Sequence, residues 1–108
     1  MMIKKKLINI SCYIFIIITH LTQSIKADEL FNQGKEIFMG DGNCATCHTL
    51  DDANSNANIG PNLNLIKPDI SRVLMAVKNG IGVMPAYQGQ LSDEEINAVA
   101  TYVVESTN

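Results

Sequence analysis

The chain has 108 residues, enough for one ordinary domain. Its eight basic and eleven acidic residues are unevenly placed, because four of the basic ones precede Asp28 and every acidic one lies at or beyond it. The chain from residue 28 onward therefore carries a net charge of −7. This charge argues against a nucleic-acid-binding protein, since such proteins present basic surfaces.

Residues 1–27 have the pattern of a secretory signal peptide. A start with three lysines is followed by an uncharged, mostly apolar run at residues 7–19 and by small or polar residues up to Ala27. That run is short for a membrane span, which needs roughly 20 residues. We predict cleavage after Ala27, with cleavage after Ser24 as the alternative, to leave one mature domain of residues 28–108. The competing interpretation is an uncleaved membrane anchor.

Three stretches of the mature domain place apolar residues at helical spacing, namely residues 30–38, 70–77 and 96–103. Gly40 and Gly80 follow the first two stretches as stop signals, and Ser92 with Glu95 forms a capping box before the third. Residues 49–64 are rich in Asn, Asp and Gly, which predicts a long loop. No segment alternates usefully between apolar and polar residues. We therefore predict an all-α domain of three main helices and a long loop, without a sheet.

The motif that carries chemistry is C-x-x-C-H, formed by Cys44, Cys47 and His48, and it is typical of covalent haem attachment. Two thiols at this spacing can each add to one vinyl group of a haem, and the histidine that follows can bind the iron. A mature domain this short often needs a cross-link to fold. We therefore predict one covalently bound haem c, which would also supply part of the core.

Two other uses of this motif are weaker. A zinc site needs about four nitrogen, sulfur or oxygen ligands, and the mature domain has no second Cys/His pair. A thioredoxin-like dithiol is expected beside alternating strands and helices, a pattern that the sequence lacks.

The second iron ligand is expected to be a methionine, because the mature domain has no other histidine. Met39 lies shortly before Cys44, and Met75 lies within a predicted helix, where packing is the expected role. Met84 lies in a Gly-rich segment that ends at Pro85 and can approach a haem face. We predict His48 and Met84 as the axial ligands. A thioether ligand raises the reduction potential and fills the coordination position that an enzyme would keep open.

Together these residues resemble the class I c-type cytochromes, in particular the small bacterial and cytochrome c6-like (c-553) branch. The resemblance covers nearly all of residues 28–108 and includes Gly60-Pro61-Asn62-Leu63, the segment around Met84 and the last predicted helix. It implies the class I cytochrome c fold, with three main helices and a long loop wrapped around one covalent haem. It also implies that the Pro61 carbonyl accepts a hydrogen bond from His48. Gly34 would permit a close crossing of the first and last helices near Tyr102.

The function that the resemblance implies is electron transport by a soluble exported carrier, which shuttles single electrons between membrane redox complexes and is not an enzyme. The bacterial periplasm is the expected location, with the thylakoid lumen as the alternative. The main competing function is that of a haem c subunit in a larger oxidase or dehydrogenase complex. A ligand-binding enzyme or sensor is a third possibility, which would need an open coordination position.

The expected partners are membrane or soluble redox proteins with basic docking patches, because the mature domain is strongly acidic. We expect a monomer with no membrane span after cleavage and no affinity for nucleic acid. The candidates for an apolar docking rim are Ile81, Val83 and Ala86, beside Met84.

Overall fold

The computed structural model describes the backbone of residues 2–108 and the side chains of residues 9–108. It contains four α-helices, namely α1 (Met2–Met39), α2 (Leu63–Ile66), α3 (Ile70–Asn79) and α4 (Asp93–Thr107). Between α1 and α2 lie two 3₁₀ turns, at Cys44–Thr46 and Asp51–Ala53, and strands β1 (Thr49–Leu50) and β2 (Ser55–Asn56). The order confirms the predicted all-α domain of three main helices and a long loop.

The long loop is more ordered than predicted, since it contains a two-stranded sheet. Strands β1 and β2 pair antiparallel, with Thr49 opposite Asn56 and Leu50 opposite Ser55. A 3₁₀ turn and Asn54, whose φ is 52°, reverse the chain between them. The prediction of no sheet is therefore wrong in this detail, because strands of two residues are too short to show an alternating pattern.

Helix α1 starts well before the first predicted helical stretch and runs through Ala27 without a break. No Gly or Pro interrupts residues 2–33, so nothing in the sequence stops the helix there. The side chains at residues 9–29 are exposed, and burial begins at Leu30. Met1 and the side chains of Lys4, Lys5 and Lys6 lie outside the described residues. The division into a signal peptide and a mature domain stays a prediction.

The stretch Asn9–Met39 is long and apolar enough to cross a membrane, on the grounds of length and composition alone. A signal sequence near an N-terminus meets the same criterion.

Helices α1 and α4 cross in close contact at Gly34. A Cβ atom at residue 34 would lie 2.1 Å from the carbonyl oxygen of Ala98 and 2.6 Å from Cβ of Tyr102, so only glycine fits. Phe31 and Phe38 pack edge-on against the Tyr102 ring, with centroid distances of 5.0 and 5.6 Å. The predicted close crossing at Gly34 is confirmed.

Polar contacts also attach the long loop to these two helices. The Tyr102 hydroxyl donates a hydrogen bond to Oδ2 of Asp52 at 2.8 Å, and Nζ of Lys35 lies 3.0 Å from the same oxygen. These contacts, first with Tyr102 and then with Lys35, lower the pKa of Asp52. Burial, together with the hydrogen bond to Asp52, raises the pKa of Tyr102. The three residues thus join α1, α4 and the 3₁₀ turn at Asp51–Ala53.

Capping fixes where α3 and α4 begin. The Asp69 side chain accepts a hydrogen bond from the Arg72 amide at 3.0 Å at the start of α3. At the start of α4, Ser92 N donates to Oε2 of Glu95 at 2.7 Å and Glu95 N donates to Oγ of Ser92 at 3.2 Å. The predicted capping box is confirmed, and Gly80 ends α3 as expected. These ends leave residues 80–92 as a non-helical segment that contains Met84.

Candidate functional site

A cavity of about 330 Å³ lies between the long loop, α3, the segment around Met84 and α4. Its walls are mostly apolar, and the residues that form them include Phe38, Leu63, Val73, Val77, Val99 and Val103. Ligand sites in proteins are typically apolar clefts of this kind with a few polar groups at defined places. Here those groups are supplied by the predicted site residues Cys44, Cys47, His48 and Met84, all four of which line the cavity.

The imidazole of His48 is held by backbone atoms. Its Nδ1 lies 2.8 Å from the carbonyl oxygen of Pro61. A carbonyl oxygen can only accept a hydrogen bond, so Nδ1 carries the hydrogen and Nε2 keeps its lone pair for a metal ion. The contact between Pro61 and His48 is the one that the family resemblance implies.

Gly60 belongs to the segment that carries the family resemblance, but it was not predicted to have a role at the site. A Cβ atom at this position would lie 2.6 Å from Cε1 of His48, so the absence of a side chain lets the backbone pack against the imidazole. Gly60 N also donates a hydrogen bond to the carbonyl oxygen of Cys47 at 2.7 Å. The glycine directly before Pro61 is the sequence signal for this contact, because glycine allows another group to approach the backbone closely.

The two cysteines lie at a 3₁₀ turn that opens onto the cavity. Both Cys47 N and His48 N donate hydrogen bonds to the carbonyl oxygen of Cys44, at 3.1 and 3.0 Å. Both thiols are free and partly buried. Burial raises the pKa of the Cys44 thiol to about 11, so at neutral pH it carries its hydrogen. The turn therefore presents two thiols and one imidazole to the same cavity.

Met84 is partly buried at the cavity, in a short loop closed by backbone hydrogen bonds. Ile81 N donates to Met84 O at 3.2 Å, and Met84 N donates to Ile81 O at 2.9 Å. Gly80, with φ of 71°, lies so close that a Cβ atom there would be 2.5 Å from Met84 O. The loop shape therefore depends on glycine at residue 80, for both its φ angle and its lack of a side chain.

The other two methionines of the mature domain do not line the cavity. Met39 is 55% exposed and Met75 is 59% exposed. The expectation that Met75 packs in the interior is wrong. The buried residues of α3 are Val73 and Val77, and Met75 lies on an exposed part of the helix.

Tyr87 lines the cavity too, and its hydroxyl donates a hydrogen bond to the carbonyl oxygen of Gly42. Burial raises the pKa of Tyr87, and the proximity of the Cys44 thiol adds to this effect. Sequence reasoning missed this contact, which joins residues 45 positions apart. Arg72 is the only residue with a permanent charge among the described residues that line the cavity.

These donors fit a covalently bound haem. The thiols of Cys44 and Cys47 can each form one thioether, Nε2 of His48 is oriented as a nitrogen ligand, and Met84 supplies a soft sulfur. Apolar walls suit a large flat ring, and the glycine at residue 60 leaves room for the imidazole.

Comparison with known proteins also points to a protein that binds haem covalently. A family model described as cytochrome c oxidase, cbb3-type, subunit III matches residues 29–103. Cytochrome c6 from Chlorolobion braunii is 37% identical over 82 residues, which cover 67% of this chain and 85% of that protein. Cytochrome c6 from Thermosynechococcus vestitus is 31% identical over 110 residues, which cover 94% of this chain and 92% of that protein.

One solved structure is more similar still in sequence. The crystal structure of the c-type cytochrome SorU from Sinorhizobium meliloti is 49% identical, with a TM-score of 0.70. The similarity covers 74% of this chain and 93% of that chain.

Proposed function

Because this chain belongs to the class I c-type cytochromes, we propose that it is an exported carrier of single electrons, with His48 and Met84 as the axial ligands of its haem. The family comparisons confirm the predicted fold, the single covalent haem c and a role in electron transport. When bound, haem c supplies a one-electron iron couple whose potential depends on its axial ligands. The main support for the ligand assignment is that Cys44, Cys47, His48 and Met84 line one cavity.

Each of these residues has a distinct task in the proposal. Cys44 and Cys47 form the thioether links, and His48 binds iron through Nε2 while Pro61 holds its Nδ1. Met84 would supply the second protein ligand to the iron and would thereby keep water and other small ligands from binding there. A filled position favours electron transfer without ligand exchange. It therefore favours a carrier over an enzyme or sensor.

We propose that residues 1–27 are a signal peptide, cleaved after Ala27, and that the mature domain is a monomer of the bacterial periplasm without a membrane span. The apolar helix is compatible with this role, and its side chains at residues 9–29 are exposed and add nothing to the domain core. The mass of the protein isolated from its source tests this proposal, since cleavage after Ala27 predicts a chain that begins at Asp28. A mass that includes the leader would instead indicate an anchor.

We propose that the partners are redox proteins that carry basic docking patches. Ile81, Val83 and Ala86 are exposed beside Met84, at 68% and 92% for the first two. Within residues 59–92 the only acidic residue is Asp69, so most of the negative charge lies on α1, the long loop and α4. The proposal is that this charge attracts a basic partner while the apolar rim makes the contact.

The test of the function begins with the purified holoprotein. Acidified acetone should leave the colour on the polypeptide, because thioether links resist extraction. The oxidised protein should show the weak near-infrared band that a methionine sulfur bound to iron produces. Extractable haem, or a protein without iron, would contradict the proposal, and a missing band would contradict Met84 as a ligand.

The second candidate function is a haem c subunit of a larger oxidase complex. The description of the matching family model and the unbroken helix α1 favour it. Fractionation of the source cells separates the two functions. A carrier remains in the soluble exported fraction, whereas a subunit stays with the membranes and migrates with a large complex after mild detergent treatment.

A further inference from the structure

The segment that contains Met84 packs against the core through partly buried side chains but makes few hydrogen bonds to the rest of the fold. The hydrogen bonds between Ile81 and Met84 lie within the segment. Two more, from Tyr87 N to Val77 O at 2.8 Å and from Gln88 N to Lys78 O at 3.4 Å, join it only to the end of α3, its neighbour in sequence. These bonds define the shape of the loop but do not attach it to the part of the chain that carries the cysteines.

The Tyr87 hydroxyl makes the longer connection. Among the hydrogen bonds of the described residues, the one from Tyr87 to Gly42 is the only bond between residues 80–92 and any residue before α3. Its acceptor is well fixed, because Gly42 is buried and its amide donates to Ile37 O at 2.8 Å at the end of α1. The bond therefore ties the loop that contains Met84 to the turn that follows α1.

Gly42 also lies directly before the attachment motif. A Cβ atom at residue 42 would be 3.1 Å from Sγ of Cys44, and the turn that starts there leads to His48. One hydroxyl thus couples the loop of the proposed sulfur ligand to the segment of the proposed nitrogen ligand. Tyr87 does so from the cavity wall, three residues after Met84.

We propose that Tyr87 is a positioning residue that keeps Met84 bound to the haem iron by fastening its loop to Gly42. The proposal rests on the ligation by His48 and Met84 stated above. Without the hydroxyl, the loop would keep its internal shape but would separate more easily from the attachment segment. The carbonyl of Gly42 would also lose its partner, so the closed arrangement would lose stability relative to the open one.

The test is a titration of the oxidised holoprotein with imidazole, which competes with Met84 for the iron. In Tyr87→Phe, loss of one hydrogen bond should lower the half-saturating imidazole concentration by about fivefold. The near-infrared sulfur band should disappear at correspondingly lower imidazole. If loop opening limits the reaction, the maximal binding rate at high imidazole should rise as well.

Tyr102→Phe is the matched control, because it removes a hydroxyl hydrogen bond, to Asp52, from a tyrosine that does not line the cavity. It should unfold at lower urea but should bind imidazole like the wild type. Equal imidazole binding by Tyr87→Phe and the wild type would overturn the proposal. So would equal shifts in the two variants, which would indicate a general loss of stability. A wild-type protein without the sulfur band would instead overturn the ligation by Met84, and the role of Tyr87 with it.

Discussion

Two of the regions that border the cavity are held together in different ways. The crossing of α1 and α4 is built from buried side chains, among which Phe38, Ile96, Val99 and Tyr102 are at most 1% exposed. The segment of residues 80–92 is built from backbone hydrogen bonds, and Val83 at its tip is 92% exposed. Burial of apolar surface stabilises the first region, whereas the side chains of the second are at most partly buried, with Met84, Tyr87 and Leu91 packed against the core.

From this difference we expect the helix crossing to determine folding stability and the segment of residues 80–92 to determine ligation. Changes at the helix crossing should alter folding and leave the iron ligands as they are, provided the protein still folds. Changes in the methionine segment should alter ligation and spectra at little cost in global stability, because low-stability segments are the ones that open locally. Each of the following predictions tests one side of this comparison.

Gly34→Ala should have the largest effect. The new Cβ would lie 2.1 Å from a backbone oxygen of α4, so the two helices must move apart along their buried contact. We expect a loss of about 3 kcal/mol or more in the free energy of unfolding, measured by urea titration of the holoprotein. Asn32→Ala, at an exposed position of α1, is the control and should change the stability by less than about 0.5 kcal/mol. A Gly34→Ala protein of normal stability would show that the crossing does not need this contact.

Met84→Ala should change the spectrum and the reduction potential strongly and the stability only a little. The near-infrared band should vanish, the reduction potential should fall because the thioether no longer favours reduced iron, and imidazole should bind readily. Since Met84 is only partly buried, the loss of stability from its own packing should stay near 1 kcal/mol.

Met75→Ala is the matched control for this variant. Its side chain is 59% exposed on α3, so band, potential and stability should all remain at wild-type values. If Met75→Ala abolished the band instead, the assignment of the sulfur ligand would be wrong.

The two regions also differ in how far their features could be predicted from the sequence. The attachment motif is local, so its five consecutive residues are sufficient to predict the bound haem. The starts of α3 and α4 can be predicted from capping residues such as Asp69 and the Ser92–Glu95 pair. The close approach at Gly34 could be predicted only from the family resemblance, because a single glycine in a helix has no unique explanation. Contacts between distant residues were missed, including Tyr87 with Gly42 and Asp52 with Tyr102. No local pattern specifies such pairs, since they form only when the helices have packed.

The contact of Asp52 with Tyr102 and Lys35 predicts a pH dependence of stability that belongs to the scaffold alone. The fold lowers the pKa of Asp52, so this carboxylate stabilises the protein above its unfolded pKa of about 3.9, and the contribution is lost as the pH falls through the folded value. Asp52 is 38% exposed, so Asp52→Asn should cost only about 1 kcal/mol at pH 7.

The variant and the wild type should converge in stability as the pH falls through the folded pKa of Asp52, in urea titrations at a series of pH values. The contribution of Tyr102 to stability is lost at high pH instead of at low pH. Its pKa is raised by the fold, so its contribution is complete below the unfolded pKa of about 10 and is lost above it. The near-infrared band at pH 7 should be the same in Asp52→Asn and in the wild type. A change in that band would show that the scaffold and the methionine segment are coupled.

The smallest expected effect concerns the charge on the scaffold and its influence at the exposed rim. Asp93, Glu94 and Glu95 lie in the first turn of α4, and a variant with Asn, Gln and Gln at these positions keeps a capping side chain at residue 95. Oxidation of the reduced protein by a cationic cobalt(III) complex should slow about threefold in this variant at low salt, and oxidation by anionic ferricyanide should become faster. Both differences should fade as salt rises, because screening acts over about 10 Å at 0.1 M. Val83→Ser at the rim is the uncharged control, and any effect it has should be independent of salt. Rates that ignore both the salt concentration and the charge of the oxidant would reject electrostatic steering by α4, while the carrier function would stand on the haem ligands alone.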